Sequence, residues 1–393
     1  MQKLFRQLLN SSMVYSARVV WLCTVALTTV SAAGQEEGSA PKQAGQPPLD
    51  RRAEVLPPNG LSLVKSLVEA QPAETPAGED DPMAAMFRDP KGSIWSSTLG
   101  GRQFWGDVHF FHHFRIQKNV FTGHYRLLDS HDRRLASGTL EACHQALNEL
   151  RKKDHIPSMS GTVVIFVHGI VRSSKSMSTL ARLAEKHDMT GLEFDYPSTQ
   201  IDIRECAEYL HQCISGLEGV EKIHLVVHSM GGLVTRAYFE KYHDPRIGRL
   251  VMLGTPNQGA RMADHLKGTL LFKTVFGPAG QQLVTDPEGV IPSLPIPPCE
   301  FAVIAGVRGD GKGWNPFIAG DDDGTVEVTS TRLPGAADFI TIPVIHALMM
   351  RDQAVGEHAL RFLQTGSLRA EGQNEPIFRV DQKLPPPPES PRD

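Results

Sequence analysis

The strongest constraint on the fold is an alternation of apolar runs and helical patterns that begins at residue 162. The apolar, β-rich runs are "TVVIFVHG" (162–169), "GLEFDYPST" (191–199), "KIHLVVHS" (222–229), "IGRLVMLGTP" (247–256) and "EFAVIAGVRG" (300–309). Runs that are apolar throughout are typical of parallel strands buried on both faces. The segments between them with helical spacing are 177–187, 202–217 and 231–243. The alternation predicts an α/β domain with a mostly parallel sheet flanked by helices and a site at the carboxyl ends of the strands.

A serine lies at one of these strand ends, in "HLVVHSMGGLVTRAY" (224–238). The nucleophile elbow has the pattern G-x-S-x-G, in which a strained turn exposes the serine hydroxyl. Gly231 matches the second glycine, but the first position is Val227, whose branched side chain crowds the turn. The alternative is a serine that caps an ordinary helix. The strand before Ser229 and the helix after it favour the nucleophile.

A serine nucleophile needs a base and a carboxylate that orients the base, and in this fold the chain order is serine, acid, histidine. Asp323 opens the segment "DGTV" and His346 follows 23 residues later, before a helical segment. There is an alternative for each of these residues when it is considered alone. The aspartates are also typical of a turn or a cation site, and His346 is also typical of the start of a helix. The position of "FVHGI" (166–170) after the first strand and of Met230 after the serine predicts two backbone N–H groups that face the serine. A plain strand-to-helix turn at Gly169 is the alternative.

The combination of HGI, VHSMGGLVTR, GTPNQGA and DDGTV followed by a histidine resembles the α/β-hydrolase superfamily, specifically its bacterial lipases and esterases. The resemblance covers roughly residues 160–365. It implies an α/β-hydrolase fold with the nucleophile Ser229, the acid Asp323, the base His346 and the oxyanion-hole N–H groups of Ile170 and Met230. It implies ester hydrolysis of a small-molecule or lipid substrate, without a cofactor. An acyltransferase, an amidase and a non-catalytic binding protein on the same fold are the alternatives.

The connection between the strands that end at Pro256 and begin near Glu300 is much longer than usual for an α/β unit. It contains an apolar segment, 266–284, which predicts a cap that lines an acyl pocket with Leu271, Phe272 and Phe276. A further core helix is the alternative.

Two groups of side chains raise the question of a metal. One is the histidine cluster His109, His112 and His113, and the other is the acidic group Asp310, Asp321 and Asp322. Neither shows a complete ligand set at the spacing of a zinc or calcium site. We expect a polar strand face and solvated acidic loops, and no metal in the site.

The formal net charge of −4 gives no electrostatic reason to expect a nucleic-acid partner. Basic residues precede the short apolar stretch 19–30, and small residues follow at 31–33. This pattern predicts a signal peptide, 1–33, and export to the periplasm or the medium. An uncleaved anchor is the alternative. Membrane contact is expected only through such an anchor or a lipid substrate.

The composition predicts five parts of the chain. They are the signal peptide, a disordered linker (34–85), a β-hairpin and helix packed on the core (86–155), the catalytic domain (156–368) and a disordered proline-rich tail (369–393). Export permits disulfides among Cys143, Cys206, Cys213 and Cys299. Cys206 and Cys213 lie about 10 Å apart along one predicted helix, too far for a bridge. The sequence leaves the other pairings and the oligomeric state open.

Overall fold

The structure is a computed structural model that describes residues 103–379. The predicted signal peptide, the predicted linker, residues 86–102 and residues 380–393 lie outside the described part, as does the side chain of Leu271. None of the helices in the described part has the length and apolar character needed to cross a bilayer.

The described part begins with a four-stranded antiparallel sheet. Its strands are β1 (Trp105–Phe111), β2 (Phe114–Asn119), β3 (Tyr125–Leu128) and β4 (Arg134–Gly138), paired in that order. The sequence predicts a single hairpin here, with its turn in "VFTG", and the β2–β3 turn is at that place. The structure adds a turn at His112, whose φ of 49° lies in the left-handed region, so that the segment 103–119 forms two strands. The predicted hairpin is therefore part of a larger sheet.

A second sheet of six parallel strands forms the centre of the fold. Its strands are β5 (Thr162–Val167), β6 (Thr190–Phe194), β7 (Lys222–His228), β8 (Ile247–Leu253), β9 (Glu300–Val307) and β10 (Asp338–Pro343). The strand order is β10-β9-β8-β7-β5-β6. Each neighbouring pair is parallel. Five of these strands follow the predicted apolar runs, whereas β10 is not predicted.

Helices cover both faces of the parallel sheet. The helices of the described part are α1 (Leu140–Lys153), which packs on the antiparallel sheet, and α2 (Ser178–Glu185), α3 (Ile203–Ser215), α4 (Met230–Lys241), α5 (Arg261–Leu266), α6 (Leu270–Gln281), α7 (Val290–Ser293), α8 (Val328–Thr331) and α9 (Gln353–Thr365). The described part also contains two short 3-10 helices, Ser174–Met177 and His346–Arg351. One core cluster contains residues of α3 and α4, and the other contains residues of α2 and α9. The predicted α/β architecture with helices on both faces is confirmed.

The antiparallel sheet is joined to the central sheet through buried polar groups. The backbone N–H of Asp107 on β1 donates to the carbonyl of Asp195, and the N–H of Asp195 donates to Asp107 Oδ2, at 2.8 and 2.7 Å. The Arg115 guanidinium lies 3.0 Å from Asp195 Oδ2 and 3.4 Å from Asp107 Oδ2. Burial raises the pKa of Asp107 to about 7, although Arg115 acts in the opposite direction. This network holds the added sheet at the carboxyl end of β6.

The predicted boundary of the tail at residue 369 is too early. Arg369 pairs with the buried carboxylate of Asp338 at 2.6 Å, and the Ile377 N–H donates to the carbonyl of Ala336 at 2.9 Å. Residues 369–377 therefore pack beside the start of β10. The proline-rich remainder of the tail lies outside the described residues.

The four cysteines in the described part are all free. Cys143, Cys206 and Cys213 are fully buried in the core, where burial raises the pKa of each thiol. They act as small apolar core residues.

Candidate active site

Ser229 occupies a strained turn between β7 and α4. Its backbone angles are φ 54° and ψ −127°, a region that residues with a side chain rarely adopt. The side chain makes no capping hydrogen bond to α4. The Ser229 hydroxyl instead lies 2.9 Å from His346 Nε2. The turn therefore presents the hydroxyl to a histidine, and the helix-cap alternative does not describe this serine.

Glycines allow the backbone to approach closely around this turn. A Cβ atom on Gly231 would lie 2.7 Å from the carbonyl oxygens of Val167 and His168, and one on Gly232 would lie 2.2 Å from Thr255 Oγ1. Val227, the residue that departs from the elbow pattern, is fully buried in the core cluster that contains α3 and α4. Its branched side chain is thus accommodated in the core.

His346 links the serine to a carboxylate. Its Nδ1 lies 2.7 Å from Asp323 Oδ2, and its backbone N–H donates to the Asp323 carbonyl at 2.8 Å. The other carboxylate oxygen, Asp323 Oδ1, accepts the backbone N–H groups of Thr325 and Val326. All three side chains of the Ser229–His346–Asp323 arrangement are buried, and Asp323 is fully so. The contacts of His346 with Ser229 and with Asp323 join residues that are 117 and 23 positions apart, and the structure brings the three predicted residues together.

The neighbouring aspartates face other groups. Asp322 accepts backbone N–H groups from Trp314, Asn315 and Gly324. Asp321 accepts those of Arg308, Gly309 and Gly311. Asp310 accepts from Lys312 and Gly313 and pairs with Arg308 at 3.1 Å. These carboxylates shape the loop that follows β9, and only Asp323 reaches the histidine.

The loop of residues 168–174, called here the oxyanion loop, passes directly beside the serine. A Cβ atom on Gly169 would lie 2.9 Å from Ser229 Cβ. In the described part of the chain, the backbone N–H of Ile170 has no hydrogen-bond partner. Met230 is the first residue of α4, where a helix leaves its N–H groups unpaired. The N–H group of Ile170 is therefore unpaired in a loop that contacts the serine, and the N–H group of Met230 directly follows the serine.

His228 is a residue of the site that the sequence motifs do not identify. Its Nε2 lies 3.1 Å from the carbonyl oxygen of His346. Because a carbonyl only accepts, Nε2 carries the proton. Burial and the nearby His346 lower the pKa of His228 well below its ordinary value, so the ring is neutral. His228 thus fixes the backbone of His346, and the signal in the sequence is its place directly before the serine.

The predicted cap segment forms α6, which begins at Leu270 and is kinked at Gly277. Phe272 and Phe276 stack with ring centroids 4.7 Å apart. A Cβ atom on Gly280 would lie 2.4 Å from Phe276 Cβ and 3.4 Å from Ile170 Cδ1, so α6 packs against the oxyanion loop. Phe272 is also part of the main core cluster. The segment therefore has features of both alternatives. It contacts the oxyanion loop, as a cap would, and Phe272 lies in the core, as in a core helix.

The three histidines of the added sheet diverge. His109 packs edge-to-face on His144 at 4.7 Å, and His112 Nε2 contacts the Pro157 carbonyl at 2.9 Å. His113 packs on the ring of Phe114. Burial lowers the pKa of His109 to about 4, which keeps that ring neutral.

The parallel sheet, the strand–turn–helix around Ser229 and the Ser229–His346–Asp323 chain at the carboxyl ends of the strands together define the α/β-hydrolase fold. This confirms the fold expected from the resemblance. The four-stranded antiparallel sheet is an addition to it.

The model of a domain of unknown function, DUF7379, matches residues 132–288. Among curated proteins, no sequence matches this chain.

Several solved structures are similar to the chain. The mature form of the lipase BlEst2 from Bacillus licheniformis is 20% identical, with a TM-score of 0.39 over 54% of this chain and 94% of that one. Phospholipase PlaB from Legionella pneumophila is 17% identical, with a TM-score of 0.40 over 53% of this chain and 60% of that one. A malate-bound thermophilic esterase from Thermogutta terrifontis is 17% identical, with a TM-score of 0.34 over 53% of this chain and 91% of that one. At these values the likenesses assign no activity to this chain.

Proposed function

We propose that the protein is a serine hydrolase that cleaves carboxylic esters through an acyl-enzyme intermediate. One observation carries this proposal. Ser229 stands at a strained φ of 54°, and its hydroxyl is bonded to His346 and not to the helix behind it. Strain at a residue that packing holds in place is typical of functional sites. A serine that served only as a helix cap would not need this conformation.

The geometry supports the following sequence of steps. The Ser229 hydroxyl oxygen attacks the ester carbonyl carbon while His346 Nε2 takes the hydroxyl proton. Asp323 holds the other ring nitrogen, Nδ1, and stabilises the imidazolium that forms. The N–H groups of Ile170 and Met230 bind the carbonyl oxygen as it becomes anionic. His346 then protonates the leaving alcohol, and a water molecule activated by the same nitrogen hydrolyses the acyl-enzyme.

Apolar groups support a hydrophobic acyl chain as the substrate. Ile170 follows Gly169 in the oxyanion loop, and its side chain meets α6 beside Phe276. An acyl chain bound at Ser229 would meet these side chains in place of water, which favours longer chains by about 0.8 kcal/mol per buried CH₂ group. We therefore propose esters of medium or long acyl chains, lipids included, as the substrate class.

Labelling with a fluorophosphonate probe tests the proposal, because the probe reacts only with an activated serine. We expect labelling of the wild-type protein at Ser229 and none in Ser229→Ala. Ser330→Ala is the matched control, since Ser330 is equally buried but donates its hydroxyl to the Gly259 carbonyl. Unlabelled wild-type protein, or labelling that persists in Ser229→Ala, would refute the proposal.

We also propose that the protein is exported and that the segment 1–33 is removed. The support is the sequence pattern of basic residues, a short apolar stretch and small residues. Mass spectrometry of the mature protein tests this, with an N-terminus near Gly34 expected. A mature chain that retains residues 19–30 would indicate an anchored protein instead.

A further inference from the structure

The oxyanion loop contains a backbone conformation that needs support from outside the loop. Val171, which follows Ile170, has a φ of 60°. For a β-branched residue this left-handed conformation costs roughly 1–2 kcal/mol. The loop therefore holds the Ile170 N–H in place only while other groups fix Val171 and its neighbours.

A short chain of hydrogen bonds fixes Val171 and Arg172. The Val171 N–H donates to Ser198 Oγ at 3.1 Å, and the Ser198 hydroxyl donates to Gln103 Oε1 at 2.8 Å. The amide nitrogen of Gln103 then donates to the Arg172 carbonyl at 2.7 Å. Because the Arg172 carbonyl only accepts, the amide of Gln103 has one orientation, and this orientation leaves its oxygen for the hydroxyls of Ser198 and Thr199.

Gln103 belongs to the added part of the fold. It lies two residues before β1, and its side chain is buried, with 6% of its surface exposed. The other side chains that hold the loop come from the central domain. Tyr196 donates its hydroxyl to the His168 carbonyl, and Asp195 accepts the N–H and the hydroxyl of Ser174. Gln103 is thus the contact through which the antiparallel sheet reaches the strained part of the loop.

We propose that Gln103 is a positioning residue for the oxyanion hole. Acting through Ser198, it holds Val171 in its left-handed conformation, and with it the N–H of Ile170. The antiparallel sheet is then part of the catalytic apparatus as well as a packed addition to the fold. This inference rests on the proposed function, because it assigns Gln103 to the stabilisation of the anionic intermediate.

Steady-state kinetics of Gln103→Leu on a p-nitrophenyl ester test the inference. Displacement of one oxyanion donor is expected to lower kcat by about 10- to 100-fold and to leave KM within about twofold. The affinity for a trifluoromethyl ketone, which forms an anionic adduct with the serine, should fall with kcat/KM. Ser198→Ala should produce a similar loss. The double variant should lose little more than either single variant, because both changes break one chain of contacts.

Gln117→Leu is the matched control. Gln117 lies on β2 and is as buried as Gln103, but its amide bonds Asp107 and Arg126 and touches no residue of the oxyanion loop. It should lower the melting temperature and retain kcat. Hydrogen exchange in peptides that cover residues 168–176 gives a readout besides activity, and it should rise in Gln103→Leu and not in Gln117→Leu.

The outcomes separate the two proposals. A wild-type protein that hydrolyses esters, combined with a Gln103→Leu variant of unchanged kcat and unchanged exchange in the loop, would overturn the inference alone. Additive losses of kcat in the double variant of Gln103→Leu and Ser198→Ala would also overturn the inference alone. If Gln103→Leu does not fold, Ser198→Ala decides by the same measurements. A wild-type protein that neither hydrolyses esters nor labels at Ser229 would overturn the proposed function, and this inference with it.

Discussion

A Cβ atom on Gly169 would lie 2.9 Å from the Cβ of Ser229 and 3.0 Å from His228 Nδ1, closer than packed side chains approach. The oxyanion loop and the elbow are therefore in direct backbone-to-side-chain contact. Any side chain at residue 169 has to displace the serine, the neutral histidine beside it or the loop itself.

Gly169→Ala is expected to lower kcat by at least about tenfold, because a displacement of a few tenths of an ångström separates the Ser229 hydroxyl from the oxyanion donors. Kinetics on a p-nitrophenyl ester measure the effect. Gly123→Ala is the control. Gly123 has a φ of 69° and open space around it, so its replacement costs about 1 kcal/mol of stability through strain and leaves kcat unchanged. Full activity of Gly169→Ala would show that the contact is not needed for turnover.

Asp323→Asn is expected to lower kcat by about three to four orders of magnitude, because the amide no longer stabilises the imidazolium of His346. Combining it with Ser229→Ala should add little, since the residues act as one unit. Asp322→Asn is the control one residue away. It breaks bonds to the loop backbone and should lower the melting temperature more than kcat. The reverse pattern would assign the acid to Asp322.

Phe276→Ser is expected to raise KM for p-nitrophenyl octanoate several-fold more than for the acetate, because only the longer chain reaches α6. Leu270→Ser is the control at the start of the same helix, since that side chain is 80% exposed. Equal losses on both esters, together with a lower melting temperature, would identify α6 as a core helix without a role in the acyl pocket.

A buried histidine, His224, and a partly buried one, His109, predict a loss of stability in mild acid. Burial is the main cause that lowers the pKa values of His109 and His224 to about 4. The unfolded chain binds protons at these residues near pH 6.5, whereas the folded chain does not bind them until about pH 4. The contribution of the two neutral histidines to the free energy of unfolding is therefore fully present above pH 6.5. It falls as the pH drops from 6.5 to 4.

His224→Gln tests this pH dependence. An amide can still accept the Arg249 N–H but does not titrate, so the variant should lose about 1–3 kcal/mol less than the wild type between pH 7 and pH 4.5. Urea unfolding at several pH values measures the free energy of unfolding. His124→Gln, at an exposed histidine, should follow the wild-type curve. An unchanged slope in His224→Gln would contradict the prediction.

The sequence predicted the elements whose signal is local. The runs that form β5, β7 and β8 are apolar throughout because both of their faces are covered, and this is visible without any knowledge of their neighbours. The strands β4 and β10 and the extra turn at His112 were not predicted. β10 has only six residues and follows a loop, and the extra turn at His112 depends on a left-handed residue that no glycine or asparagine marks. Both are stabilised by pairing with other strands, which the local pattern does not contain.

The same division applies to the site. The amino-acid sequence by itself determined that a serine follows a buried strand, that glycines follow the serine, and that an acid and a histidine come later in the required order. The tertiary structure decided which of three consecutive aspartates faces His346, that Val227 fits into the core, that His228 contacts the backbone of His346 and that Gln103 contacts the oxyanion loop. The hydrogen bonds among these residues join positions that lie 23 to 118 residues apart in the sequence. Hydrogen bonds between residues so far apart in the sequence are set by tertiary packing. Hydrophobic periodicity reflects local secondary structure, so it is visible in neighbouring residues of the sequence.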